Sequence, residues 1–255
     1  MILAIDIGNS NIVFGIYSEN KWQHVWRIQT DAHKTADEYE VIFRSLLTNE
    51  EFSREQITKT VLSSVVPSLN REFKTMLTRL TGLPLIIISP EIYDKLPLKI
   101  LNPFEIGTDL VANATAAYCR FEQLCMVVDF GTALTFTTIG DDGTILGVAI
   151  APGLRTAVKA LSGNTAQLPN VEIACPPSVL GTNTIHAIQS GIVVGYTGLV
   201  DRIIEKTIQA VGKDLKIVAT GGLAGVFAPK CDKINFVDEE LTLEGLRIIA
   251  LLLAD

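Results

Sequence analysis

Long apolar runs are missing: nothing approaches the roughly 18 consecutive apolar residues of a membrane-spanning helix. The first run, Ile2 to Ile5, is broken by Asp6 with no basic segment ahead of it. That is too short for a secretory leader, so the chain is read as soluble and starting at Met1. Histidine and cysteine are scarce. The three histidines (24, 33, 186) and four cysteines (119, 125, 175, 231) form no CxxC pair and no regular lattice. A zinc site and a disulfide scaffold both lack their spacing, and the thiols are read as reduced, in the cytoplasm. Basic charge is also short, with 21 Lys and Arg against 28 Asp and Glu for a net −7. A clustered basic surface for nucleic-acid phosphates is therefore not expected. What remains is 255 residues, 48% hydrophobic, enough for one large or two ordinary domains with substantial cores.

The chain does contain an internal repeat. Residues 2–17, ILAIDIGNSNIVFGIY, match residues 125–140, CMVVDFGTALTFTTIG, in type: apolar run, Asp, any residue, Gly, small polar cluster, β-rich run. Asp6 aligns with Asp129 and Gly8 with Gly131. Each copy reads as a β-hairpin turning at its Asp-x-Gly. Periodicity and punctuation then predict helices over 36–48, 69–81, 108–121, 153–161, 181–210 and 241–253. Strands are predicted at 58–65, 84–89, 144–150 and 215–219, with a proline-containing loop through 90–106. A duplicated unit implies two similar α/β lobes, 1–115 and 116–255, packed across a cleft.

An Asp-x-Gly turn rich in small polar residues can cradle a polyphosphate. Glycine lets the backbone approach, successive N–H groups form an anion-binding concavity, and the carboxylate helps hold a hydrated cation. The first copy offers Asp6, Gly8, Asn9 and Ser10; the second offers Asp129, Gly131 and Thr132. One such turn alone is an ordinary hairpin; its repetition favours phosphate binding. A third element, Ala219-Thr220-Gly221-Gly222 after an apolar strand, suits a flat ligand lying against backbone or a plain strand-to-helix turn.

At these residues the chain resembles the type III pantothenate kinases, within the acetate kinase, sugar kinase, Hsp70 and actin superfamily. DIGNSNIVFGIY looks like their first phosphate motif, VVDFGTALTF like their second and ATGGLA like their adenosine motif. NPFEIGTDLVAN, GVAIAPG, ALSGNTAQLP and VLGTNTIHAIQSGIVVGYTG follow in family order, to about residue 224. The resemblance implies a duplicated, two-lobed actin-like (ribonuclease H-like) fold with a nucleotide cleft between the lobes, and a homodimer. It implies transfer of the ATP γ-phosphoryl group to the primary hydroxyl of pantothenate, the first step of coenzyme A biosynthesis. ATP contacts fall on Asp6, Gly8, Asn9, Ser10, Asn11, Gly131, Thr132, Gly221 and Gly222. Asp129 stands at the position linked to a monovalent cation (K⁺ or NH₄⁺), and Asp6 near Mg²⁺ through water. Asp109 matches the general base, and Gly107, Thr108, Asp109 and Thr184 the acceptor site, with Thr184 supplied across the dimer interface.

From the residues alone, Asp109 is equally a cap or first-turn carboxylate for the helix at 108. His186 reads as a surface or packed histidine, Glu105 as an exposed loop carboxylate, and Asn113 as a support for the acceptor loop or a helix back-bond. Three positions depart from the family pattern: Leu110 replaces an arginine and Ile100 a tyrosine of the acceptor site, and Val148 replaces a glycine. The nucleotide half is retained and the acceptor half altered. A kinase for another hydroxylated acceptor and a nucleotide-binding regulatory paralogue stay open as alternatives. Arg155 is the nearest cation by motif context to take the place of the missing arginine, its other reading being a solvated helix residue.

Overall fold

Both Asp-x-Gly hairpins form, and each seeds a sheet of the same order. In the computed structural model, which describes residues 1–253, the first hairpin is β1 (Ile2–Ile7) and β2 (Asn11–Ser18), followed by β3 (Lys21–Gln29). After α1 (Ala36–Asn49) comes β4 (Lys59–Ser64), then α2 (Pro67–Thr81), β5 (Leu85–Ile87) and a 3₁₀ turn over Pro90–Lys95. Next come α3 (Thr108–Phe121) and the second hairpin, β6 (Cys125–Phe130) and β7 (Ala133–Ile139), with β8 (Ile145–Pro152). The chain then runs through α4 (Leu154–Gly163), α5 (Thr184–Val211), β9 (Lys216–Thr220), α6 (Ala224–Phe227), β10 (Phe236–Val237) and α7 (Leu241–Leu252).

The sheet orders are β3-β2-β1-β4-β5 and β10-β9-β6-β7-β8. In each, the strand entering the Asp-x-Gly turn is central, antiparallel to its hairpin partner and parallel to a later strand, β4 or β9. Buried on both faces, β1 and β6 read as near-continuous apolar runs, as central strands do. This is the duplicated two-lobed α/β fold that the repeat implied.

The chain divides into two compact units, Met1–Cys119 joined by the segment from Leu241, and Arg120–Glu240. Division in chain order, at 1–115 and 116–255, puts α7 with the second sheet; it packs instead on β1 and β4 of the first. The reason is steric. Gly245 lies against the Ala112 backbone, Gly15 leaves room for Leu243, and Thr242 Oγ1 donates to Asn113 Oδ1 at 2.8 Å. Asn113 is thus fully buried as the anchor between α3 and α7.

Local signals explain the element ends. Thr35 and Glu38 close a reciprocal capping box on α1, satisfying two otherwise orphaned N–H groups. Pro67 opens α2, where a missing N–H costs nothing, and Gly82, at φ 67°, ends it. Asn183 caps α5 by accepting from the His186 N–H, and Gly212, at φ 70°, ends it. The first core stacks Phe14 on Phe43 and Phe73, each such side chain contributing about 1.5–3 kcal/mol on burial. The second gathers Met126, Val128, Phe130, Phe136 and Phe227. Among the described residues, no helix is long and apolar enough to cross a membrane.

Candidate active site

In the first unit, the register of two parallel strands brings the polar residues together. Asp6 on β1 stands beside Ser63 on β4, so their side chains share a face. The buried Ser63 hydroxyl lies 3.0 Å from Thr108 Oγ1, which also accepts from the Ser64 N–H at 3.2 Å and donates to the Ser64 carbonyl at 3.1 Å. Thr108 is therefore the bolt that holds the start of α3 to the end of β4. Asp109 follows it directly. The tight turn beyond Asp6 is closed by Gly8 N–H donating to Asn11 O at 3.0 Å, while Thr30 Oγ1 donates to Gly8 O at 2.7 Å. Asn9, Ser10 and Asn11 are exposed on that turn.

Asp109 lies in the first turn of α3. Its Oδ1 accepts from the Leu110 N–H at 2.8 Å, a first-turn contact at the helix start. Burial nevertheless pushes its carboxyl above the ordinary range, outweighing the Leu110 N–H and its own. A Cβ on Gly107 would displace the Asp109 carboxylate, whose Oδ1 occupies that space. A partly buried carboxylate of raised basicity is suited to take a proton. Leu110 is 8% exposed, and Ile100 is half-buried on the approach to α3.

In the second unit the matching turn is more tightly built. Gly153 N–H donates to Thr132 O at 3.0 Å, as does Thr156 Oγ1 at 2.8 Å, locking α4 under the Gly131-Thr132 turn. Gly153 has no room for a Cβ against that turn. At the end of β9, Gly221 adopts φ 90°, and its Cα faces the Phe130 backbone and Asp129 Oδ1. Only glycine combines that conformation with such close approach. Asp129 is flanked in register by Thr135 on β7 and Thr220 on β9, and both threonine hydroxyls are buried without a hydrogen-bond partner.

Beyond Gly221 a cavity of about 500 Å³ opens, lined by Gly222, Leu223 and Val226 on one side and Arg155, Val158 and Lys159 of α4 on the other. Its size and mixed lining suit a small organic ligand. Arg155 is an exposed residue of α4 that lines the cavity at the Gly-Gly segment. Thr184, the first residue of α5, is exposed, and the His186 ring Nδ1 rests 3.0 Å from Asn183 Nδ2. Glu105 is an exposed loop residue, and Val148 is 39% exposed on β8.

Ser63, Ser64, Thr135, Thr156 and Tyr93 were not singled out from the sequence. A hydroxyl residue within a strand carries no signal by itself; only strand register tells which carboxylate it faces.

Comparisons with known proteins bear on the family and the fold. The family profile described as "Type III pantothenate kinase" matches residues 2–206. A type III pantothenate kinase of Myxococcus xanthus is 42% identical over 249 residues, covering 98% of this chain and 97% of its own. One from Syntrophobacter fumaroxidans is 44% identical over 250 residues with the same coverage. Among solved structures, MreB 5 of Spiroplasma citri bound to AMPPNP superposes at a TM-score of 0.55 over 99% of this chain and 96% of its own, at 11% identity, a likeness of fold alone. Sequence similarity along the whole chain, carried on this duplicated fold, establishes that the chain belongs to the type III pantothenate kinase family.

Proposed function

We propose that this protein transfers the γ-phosphoryl group of ATP to the primary hydroxyl of pantothenate, the first step toward coenzyme A, with Asp109 as the base. The observation that carries the reading is the polar line Asp6, Ser63, Thr108, Asp109 at one end of the first sheet. It sets a phosphate-type turn and a partly buried carboxylate of raised basicity on one frame. The family's full-length similarity supplies the acceptor.

Phosphoryl transfer passes through a loose transition state, so positioning and charge neutralisation do most of the work. The N–H groups around Gly8 and Gly131 would meet the phosphate oxygens, with Asn9, Ser10, Asn11 and Thr132 beside them. The backbone at Gly221 and Gly222 and the adjoining cavity would take the adenosine. Asp109 would receive the proton of the attacking hydroxyl. Thr108 fastens the start of α3 to β4, and the Leu110 N–H holds the carboxylate.

The residues fit a monovalent cation at Asp129: one carboxylate flanked by two neutral, unpartnered hydroxyls, Thr135 and Thr220, is a donor set of low charge. Among the described residues no group of three or more His, Cys, Asp or Glu could hold a metal. Mg²⁺ would therefore be met by Asp6 through water and by phosphate oxygens, as that reluctantly dehydrated ion prefers. Such cations supply neutralising charge to the triphosphate. A homodimer, in which the exposed Thr184 of one copy reaches the acceptor of the other, completes the reading. The scarcity and irregular spacing of the four cysteines suit a reducing cytoplasm.

Leu110 and Ile100 favour one second reading, a kinase for a different hydroxylated acceptor. An ADP-release assay with Mg²⁺ and K⁺ across pantothenate, pantetheine and an alcohol panel separates the two. Pantothenate as the preferred acceptor supports the first reading; preference for another alcohol supports the second.

A further inference from the structure

Tyr93 belongs to none of the motifs above, yet its buried hydroxyl lacks a partner and senses the charge of Asp109. It lies in the 3₁₀ turn Pro90–Lys95, entered directly from β5. That strand pairs with β4, and the Ile88 N–H donates to Leu62 O at 2.9 Å. The next residues of β4, Ser63 and Ser64, are those that bind Thr108. The turn holding Tyr93 and the helix start holding Asp109 are thus fastened to the same end of one strand.

Tyr93 is 5% exposed, and its hydroxyl is buried without a hydrogen-bond partner. A buried hydroxyl left unpaired is costly, and a ligand oxygen would remove that cost. The hydroxyl is pushed up to about 12, by burial first and then by the negative charges of Asp109 and Glu91. It therefore remains a protonated donor at neutral pH, within the electrostatic reach of the base. A tyrosine serving only to fill the core would be matched or bettered by phenylalanine.

We infer that Tyr93 is a specificity-determining residue of the acceptor site, its hydroxyl donating a hydrogen bond to an oxygen of the pantothenate chain near the reacting alcohol. The inference rests on the pantothenate reading and deepens it. It gives the site an acceptor contact where Leu110 and Ile100 offer none.

The test is Tyr93→Phe, which removes one oxygen and leaves the ring in place. Loss of one neutral hydrogen bond predicts a KM for pantothenate raised roughly three- to tenfold, with KM for ATP unchanged and Tm equal to or above the parent's. As a direct readout, ¹³Cζ-tyrosine labelling, with the Tyr93 signal identified by its disappearance in the variant, should show that signal moving on addition of pantothenate. An unchanged KM for pantothenate together with an unmoved Tyr93 signal overturns the assignment while leaving the pantothenate reading intact. A lowered Tm with equal losses toward ATP and pantothenate overturns it in favour of a packing role. A parent protein with no pantothenate-dependent turnover overturns the pantothenate reading, and the Tyr93 inference with it.

Discussion

Replacing Asp109 by asparagine should move activity and stability in opposite directions. The amide keeps the shape of the carboxylate, and its oxygen can still accept from the Leu110 N–H that now lies 2.8 Å away. It cannot accept the acceptor's proton. Loss of a general base costs on the order of a hundred- to ten-thousandfold in rate, or about 2.7–5.4 kcal/mol of barrier. The sign for stability follows from the raised carboxyl pKa. Where the folded value exceeds the unfolded one, the stabilisation is fully present below the unfolded pKa of about 3.9 and is lost as pH rises through the folded value. At neutral pH the ionised, desolvated side chain therefore weighs against the fold. The positive end of α3 favours the charge by only about 0.3–1 kcal/mol, and burial is the larger influence on this group. A gain of ~1 kcal/mol from Asp109→Asn would raise Tm by about 2–4 °C in a chain of this size. The advantage should be larger at pH 8 than at pH 4, where the parent's carboxyl approaches protonation. ADP release and thermal scans at both values check this. A variant that turns over like its parent, or that melts lower at pH 8, would refute the reasoning.

The same site yields further expectations. Gly221→Ala should lower Tm and weaken ATP binding, since a Cβ at φ 90° would lie 2.8 Å from the Phe130 carbonyl carbon and the backbone strain alone is about 1–3 kcal/mol; Gly147→Ala, with nothing within 4 Å, is the neutral control. Asp6→Ala and Asp129→Ala should each weaken Mg-ATP binding in calorimetry, and a loss in Asp129→Ala that K⁺ titration recovers would fit the cation role; parental affinity in both would contradict the phosphate assignment. Leu110→Arg with Ile100→Tyr should improve pantothenate use by roughly ten- to 150-fold, the worth of a hydrogen bond to a charged group, with ATP affinity unaltered. No gain in kcat/KM would mean that the acceptor's carboxylate is held elsewhere.

The duplicated hairpins were legible because a central strand buried on both faces must be apolar throughout, and a phosphate-type turn must break it with Asp and Gly. Helix limits followed from local chemistry: Thr35 with Glu38, Pro67, Gly82 and Gly212 mark their own positions. What escaped depends on distance in sequence. β3 has partly exposed residues on both faces, so KWQHVWRIQ lacks a clean apolar alternation, and β10 is two residues long. The packing of α7 on the first sheet depends on Gly245 meeting Ala112 and Thr242 meeting Asn113, pairings no local pattern encodes. Thr135 and Thr220 gain meaning only because register sets them either side of Asp129. Tyr93 is one more apolar-turn aromatic until its unpaired hydroxyl and its closeness to Asp109 are seen.

The most direct measurement is ³¹P NMR of the unmodified protein with ATP, Mg²⁺, K⁺ and pantothenate. A phosphomonoester resonance that grows as ATP becomes ADP, and that is absent when pantothenate is omitted, is the predicted result. Unchanged ATP, or ATP converted only to ADP and inorganic phosphate, would contradict the account.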